Sequence, residues 1–177
     1  ALAGGTDTLT LADGGNTVTV SGVETVIGGS GVDIVIFSGT APTSLIGIET
    51  LIGSSGDDVL SLTANFTGAS LDLGGGTDTL TLAAGANTLS ATGVESIVGS
   101  GSADALTLSN AQSGTTIDLG AGTDTLNLAN GGNTVTVTGV ESVVGGSGTD
   151  TVTLGVAGAV AISGVETLIG SAGTDTA

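Results

Sequence analysis

The sequence predicts an all-β fold, a parallel β-solenoid, and three observations support this prediction. One short motif recurs along the whole chain of 177 residues, and 34 glycines separate its copies and their parts. Between the glycines, Val, Leu and Ile alternate with Thr and Ser, which is typical of strands with one buried face. Repeats of this size cannot bury an apolar face alone, so we expect about seven stacked rungs of roughly 20–26 residues with glycine-rich corners.

The first recurring motif is a Gly-rich segment followed by an aspartate and a short run of alternating apolar residues. Two of its spacings are short, from Asp58 to Asp78 and from Asp104 to Asp124, and the others are longer, as from Asp7 to Asp33. We call these the short and the long units. No linker or change of composition interrupts the series, so residues 1–177 are expected to be a single continuous repeat array, a fragment of a longer chain. The motif aspartates are Asp7, Asp33, Asp58, Asp78, Asp104, Asp124, Asp150 and Asp175.

The second recurring motif is Gly-(Val/Ile)-Glu-(Thr/Ser)-apolar-apolar-Gly, and its glutamate always stands at the same distance before the next motif aspartate. The two short units lack this glutamate and carry Asp72 and Asp118 instead. Of the 17 acidic residues, only Asp13 and Asp57 lie outside both series, which makes chance placement untenable. The motif glutamates are Glu24, Glu49, Glu95, Glu141 and Glu166.

The first repeat unit shows how a rung could be built. Its apolar alternation predicts strands at residues 8–11, 16–20 and 24–27, separated by turns in which glycine supplies the corner dihedrals. One circuit of three strands would make one rung and would stack every motif aspartate on the next. Because side chains alternate along a strand, we expect these residues to point inward: Leu9, Leu11, Val35, Leu60, Leu62, Leu80, Leu106, Leu126, Val152 and Leu154.

A second register, with two strands in rungs of about 18 residues, fits the same glycine pattern. In that register Asp7, Asn16, Glu24 and Asp33 follow one another at nearly equal intervals, one for each strand with its corner. It would place Asp7 and Asp33 on opposite faces of the coil. We prefer the three-strand register because each repeat contacts only its neighbours, which favours stacking of like residues.

The charge balance excludes several classes of partner and activity. The chain has no Lys, Arg or His against 17 acids, so its net charge is −17. Nucleic acid and anionic membrane surfaces are excluded, because both require positive charge on the protein. A catalytic site is a single constellation, whereas every acid pair here has copies along the chain, so we expect no enzyme. Metal cations are the obvious counter-charge.

Four segments carry a resemblance to a known family. Residues 28–36 and 145–153 match the nonapeptide Gly-Gly-x-Gly-x-Asp-x-apolar-x in full, and residues 53–61 and 170–176 are close variants. Through these segments the chain resembles the haemolysin-type (RTX) calcium-binding repeat proteins. More loosely, it is similar to the giant β-solenoid adhesins and surface-layer proteins of Gram-negative bacteria. The family's motif runs in tandem, whereas here it returns only once in each repeat unit.

The resemblance implies that Ca²⁺ binds between neighbouring rungs, held by glycine-turn carbonyls and motif carboxylates. The ligand role would fall on Asp33 and Asp150 first, then on Asp58 and Asp175, and last on Asp7, Asp78, Asp104 and Asp124. Electrostatics favours a cation independently, because each pair of carboxylates about 4.8 Å apart would cost on the order of 1 to 3 kcal/mol.

Simpler roles for the acids remain open. The aspartates could shape turns through side-chain hydrogen bonds alone. Glu24, Glu49, Glu95, Glu141 and Glu166 could either ligate the metal or keep an outer edge soluble.

These observations predict an extracellular structural or adhesive repeat region, a calcium-stabilised rod, filament or surface layer. The resemblance also implies a location outside a bacterial cell or on its surface. The expected partners are neighbouring rungs of the same long chain or identical subunits. The alternative is a binding module that presents a flat Thr-rich face to ice or polysaccharide, because Thr-x-Thr recurs at residues 8–10, 17–19, 79–81 and 134–136. Threonine is also an ordinary outward-facing strand residue.

Overall fold

The computed structural model describes residues 4–37 and 44–177, which form short strands and no helix. The predicted all-β parallel solenoid is therefore confirmed. In that part of the chain no helix is long and apolar enough to cross a membrane. The strands are β1 (Thr8–Thr10), β2 (Thr17–Val20), β3 (Thr25–Ile27), β4 (Ile34–Phe37), β5 (Ser44–Ile46), β6 (Thr50–Ser54), β7 (Val59–Ser61), β8 (Thr67–Gly74), β9 (Thr79–Thr81), β10 (Thr88–Thr92), β11 (Ser96–Ser100), β12 (Ala105–Leu108), β13 (Ser113–Gly120), β14 (Thr125–Asn127), β15 (Thr134–Thr138), β16 (Ser142–Val144), β17 (Thr151–Leu154), β18 (Ala161–Ser163) and β19 (Thr167–Ile169).

Successive strands lie on opposite faces of the coil. The even-numbered strands pair in chain order, β2 to β18, in one nine-stranded sheet, which we call the even face. The odd-numbered strands form a three-stranded sheet, β1 to β5, and a seven-stranded sheet, β7 to β19, which together we call the odd face. One rung therefore holds two strands, since Ile34 of β4 pairs with Thr50 of β6, and Thr50 pairs with Ser70 of β8.

The preferred three-strand register is therefore wrong, and the two-strand register is the observed one. Asp7 immediately precedes β1 on the odd face, and Asp33 immediately precedes β4 on the even face. A strand with its corner makes half a rung. A long unit contains three half-rungs and so moves its aspartate to the other face, whereas a short unit makes one full rung and keeps its aspartate on the same face.

The core is a thin apolar layer between the two faces, filled mainly by Leu, Val and Ile. Within each face, in-register pairing stacks Leu60 on Leu80 and Leu80 on Ile97, and none of the three side chains is more than 1% exposed. Eight of the ten residues expected to point inward are buried. The other two, Leu9 and Leu11, are partly buried and pack against the core. The inward prediction is confirmed.

The corners depend on glycine where the chain turns into the Gly-Val-Glu motif. Gly139 has a φ of +58°, a conformation that side chains with a Cβ avoid. A Cβ at this position would also collide with the carbonyl oxygen of Gly120 in the rung below. Glycine is therefore required here both by the backbone conformation and by the close approach of the next rung.

Candidate functional site

The acidic residues form hydrogen-bonded series that join one rung to the next. The backbone N–H of the residue at a corner donates to a side-chain oxygen of the corresponding corner residue one rung later. For example, Asn16 N–H donates to Asp33 Oδ1 at 3.0 Å, and Asp33 N–H donates to Glu49 Oε2 at 2.7 Å. We call each such series a ladder. The side-chain oxygens of a ladder accept hydrogen bonds from corner amides that have no partner in the strand pairing.

Motif aspartates and glutamates share these ladders, so the expected stacking of every motif aspartate on the next is wrong. An oxygen-bearing side chain is all that the donating amide requires, and Asn, Asp and Glu each provide one. Stacking of identical residues is therefore unnecessary. The ladders run Asp7–Glu24, Asn16–Asp33–Glu49, Asp58–Asp78–Glu95, Phe66–Asn87–Asp104–Asp124–Glu141 and Gln112–Asn133–Asp150–Glu166.

A glutamate stands at the end of each of these ladders. In the fourth ladder the longer Glu141 side chain reaches back to the Asp124 amide, while the Glu141 amide donates to the Asp124 carbonyl at 3.2 Å. The Glu141 carbonyl then accepts the amide of Ala161, so ordinary backbone pairing continues into β18. The motif glutamates thus couple rungs at the corners, in addition to carrying negative charge.

Asparagine fills a cage of oxygen atoms in three of the ladders. The side-chain NH₂ of Asn87 lies 2.9 Å from the Ala83 carbonyl, 2.6 Å from the Gly85 carbonyl and 2.9 Å from Asp104 Oδ1. Asn16 and Asn133 make the same three contacts, to the carbonyls four and two residues earlier and to the aspartate of the next rung. Sequence reasoning did not assign this role to the asparagines.

An aspartate that follows an asparagine in a ladder has its oxygens fully satisfied. Asp33, with no exposed surface, accepts hydrogen bonds from the Asn16 amide, the Asn16 side chain and the Gly29 amide. The Asn16 side chain, together with these backbone donors, holds the pKa of Asp33 below its ordinary value despite burial. Asp104 and Asp150 also accept three hydrogen bonds each.

An aspartate that follows another aspartate is poorly satisfied. Asp78 follows Asp58, and Asp124 follows Asp104, and each accepts the backbone amide of its predecessor through Oδ1. Their Oδ2 atoms are the buried side-chain oxygens in residues 4–37 and 44–177 that have no hydrogen-bond partner. Both residues have no exposed surface.

The missing donor has a local cause. Asp33 receives its Oδ2 bond from the amide four residues earlier, at Gly29. Before Asp78 and Asp124 the equivalent amides belong to Gly74 and Gly120, which end the long strands β8 and β13. These amides donate instead to Asp72 and Asp118, each at 3.1 Å. Asp72 and Asp118 thus accept the amide hydrogens that Asp78 and Asp124 would otherwise accept.

Burial raises the pKa of Asp78 and of Asp124. For Asp78 the negative charges of Asp58, Glu95 and Asp57 add to this effect of burial. For Asp124 the charges of Glu141 and Asp104 do the same. The two sites are therefore short of hydrogen-bond donors and surrounded by like charge.

The remaining acids lie at the outer edge of the corners. Asp13, outside both sequence series, accepts the amide and the hydroxyl of Ser30 at 3.1 Å each. Asp57 accepts the Thr77 amide at 2.8 Å, so both residues join neighbouring rungs. Asp175 accepts the amide of Ser171 in its own turn at 2.9 Å and the amide of Gly158, one rung earlier, at 3.4 Å.

Two further arrangements bear on the expected functions. In the described ranges, no three acidic side chains converge into a group that could hold a metal ion by themselves. The Thr-x-Thr segments are divided between the faces, with residues 17–19 on the even face and residues 8–10, 79–81 and 134–136 on the odd face. Their outward row on the odd face also includes Val59 and Ile169, so it is not a pure threonine ladder.

Comparison with known proteins adds no family to this description. No family model matches the chain, and neither a curated protein nor a solved structure does. The ladders and the two donor-poor aspartates are therefore the observations from which a function has to be argued.

Proposed function

We propose that the chain is an extracellular structural or adhesive repeat region, a β-solenoid rod stabilised by Ca²⁺. The observation that carries this proposal is the repetition of one corner construction along the coil. Side-chain ladders join successive rungs on both faces, from Asp7 to Glu166. Such a coil is a rod whose length grows with the number of repeats, because each rung contacts only its neighbours.

Charge supports the calcium part of the proposal. The chain carries 17 carboxylates and no basic residue, and several of these carboxylates are buried at the corners. Hard divalent cations prefer carboxylate and carbonyl oxygens, which are the groups that the corners supply. A cation that binds only the folded coil would stabilise it by mass action. Sites with dissociation constants of about 10⁻⁴ to 10⁻³ M are typical of extracellular modules, which suits a location outside the cell.

The proposal is tested by melting the chain in calcium and then in a chelator, followed by circular dichroism. We expect strand content and melting temperature to rise with calcium, and to fall when the chelator removes it. Sodium chloride at matched ionic strength is the control, because simple screening would also relieve repulsion among exposed charges. Equal melting temperatures in calcium and chelator would contradict the calcium-stabilised rod.

A further inference from the structure

We propose that the cations bind at two places only, the steps where one ladder aspartate follows another: Asp58 with Asp78, and Asp104 with Asp124. We call these the Asp–Asp steps. The ligand is a hard divalent cation of the calcium class. This inference rests on the proposed function and makes it specific, since it assigns no metal to the Gly-Gly turns that carry Asp33 and Asp150.

The first argument is a deficit of donors. Asp33, Asp104 and Asp150 each accept three hydrogen bonds, whereas Asp78 and Asp124 each accept one. An ionised carboxylate without partners is costly to bury. The partnerless Oδ2 atoms of Asp78 and Asp124 belong to fully buried residues and mark where positive charge is missing.

The second argument is the position that asparagine fills elsewhere. At Asn16, Asn87 and Asn133 an NH₂ group bridges two turn carbonyls and the next aspartate. Asp58 and Asp104 occupy the equivalent place at the Asp–Asp steps, directly before another aspartate in the ladder, and their Oδ2 atoms accept hydrogen bonds from Ser54 and Ser100 of their own turns. A carboxylate cannot donate hydrogen bonds. We call the places where an asparagine precedes an aspartate in a ladder the asparagine steps. A cation between the two carboxylates would supply the positive charge that the amide hydrogens supply at the asparagine steps.

The third argument is that the construction occurs twice. Residues 72–78 read Asp-Leu-Gly-Gly-Gly-Thr-Asp, and residues 118–124 read Asp-Leu-Gly-Ala-Gly-Thr-Asp. In both copies the first aspartate accepts the glycine amide that would otherwise serve the second. The two orphaned oxygens thus arise from one repeated arrangement, which argues against an accident of a single corner.

The number of ligands indicates the kind of site. Each Asp–Asp step offers two carboxylates, and no third acid converges closely enough in the described residues to complete a cage. Calcium accepts mixed sets of carboxylates, backbone carbonyls and water in flexible geometry, whereas magnesium demands near-ideal octahedral geometry. We therefore expect weak sites that prefer calcium to magnesium.

The asparagine steps provide the test, because they show which side chain replaces a cation. In the double variant Asp58→Asn/Asp104→Asn, each new amide should fill its own corner as Asn87 does. Calorimetric titration with calcium chloride should give roughly two equivalents per wild-type chain, with none for the double variant. In chelator, the double variant should melt above the wild-type chain. Far-UV circular dichroism checks that both chains are folded.

Two controls separate the possible failures. Asp13→Asn removes a charge outside the Asp–Asp steps and should keep both calcium equivalents. Asn87→Asp creates a new acid pair with Asp104 and should lower the melting temperature in chelator, with recovery in calcium. A double variant that binds as much calcium as the wild-type chain would overturn the site assignment and leave the calcium-stabilised rod standing. A wild-type chain that binds no calcium would overturn both.

Discussion

Glu141 Oε2 accepts the backbone amide of Asp124 at 2.7 Å across one full rung, although the two residues are 17 positions apart in the chain. The same relationship joins Glu24 to Asp7, Glu49 to Asp33, Glu95 to Asp78 and Glu166 to Asp150. This hydrogen bond explains why a glutamate motif recurs in step with the aspartate motif.

Replacing Glu141 with alanine should leave the Asp124 amide without its acceptor and cost about 1–3 kcal/mol of unfolding free energy. Glu141→Gln keeps an oxygen at the same reach and also removes a negative charge near Asp124. We expect the glutamine variant to lie within about 1 kcal/mol of the wild-type chain. Urea unfolding of the three chains measures this. Equal losses for both variants would show that charge matters and the hydrogen bond does not.

Two neighbouring residues of β11 test the assignment of inner and outer faces. Ile97 is 1% exposed and Val98 is 44% exposed. Ile97→Ala should cost about 2–5 kcal/mol, because it opens a cavity in the thin core. Val98→Ala should cost less than about 1 kcal/mol, the span of strand propensities. Thermal or urea unfolding measures the loss of unfolding free energy in each variant. Similar losses for both variants would contradict the observed register.

Alanine substitutions at Gly139 and Gly101 form a matched pair that tests how closely the corners stack. Gly139→Ala places a Cβ at a φ of +58° and against the backbone of Gly120, whose nitrogen would lie 2.6 Å away. We expect a loss of at least about 1 kcal/mol. At Gly101 an added Cβ meets nothing within 4 Å, so Gly101→Ala should be neutral or slightly stabilising. A neutral Gly139→Ala would mean that this corner is not closely stacked.

The direction of the pKa shifts predicts an unusual pH dependence in chelator. Burial raises the pKa of Asp78 and Asp124 in the folded chain, so the folded state holds their protons more tightly than the unfolded state. Stability should therefore rise as pH falls from neutral toward the ordinary pKa of aspartate. Below that value it should fall, because Asp33 has a lowered pKa and loses its contribution on protonation.

The measurement for this prediction is the melting temperature against pH, for the wild-type chain and for Asp78→Asn/Asp124→Asn. The variant lacks the two buried acids and should not gain stability on mild acidification. A gain of the same size in both chains would assign the effect to other carboxylates.

Much of the fold follows from the sequence through simple periodicity. Alternation of Leu and Val with Thr identified the strands, and glycine identified the corners. The intervals from Asp7 to Asn16 and from Glu24 to Asp33 also corresponded to the observed half-rung. The expectation that identical residues stack on one another hid this half-rung. That expectation failed because the ladder amides need only an oxygen acceptor.

The donor-poor sites could not be recognised until the register was known. The short spacings from Asp58 to Asp78 and from Asp104 to Asp124 are the two that equal one full rung. Only these spacings stack one motif aspartate on another. The asparagines of the ladders do stand in a repeated segment, Gly-Gly-Asn-Thr-Val at residues 14–18 and 131–135 and Gly-Ala-Asn-Thr-Leu at residues 85–89. Their role was not predicted from this segment, because it depends on carbonyls that only the folded corner brings together.

The most direct test of the cation-stabilised solenoid is a crystal structure of the chain grown with calcium chloride. The account predicts two strong electron-density peaks per chain, one between Asp58 and Asp78 and one between Asp104 and Asp124, each with oxygen ligands at about 2.3–2.6 Å. It also predicts that the side chains of Asn16, Asn87 and Asn133 stay in their oxygen cages. Peaks at the turns before Asp33 and Asp150, with the Asp–Asp steps empty, would contradict it.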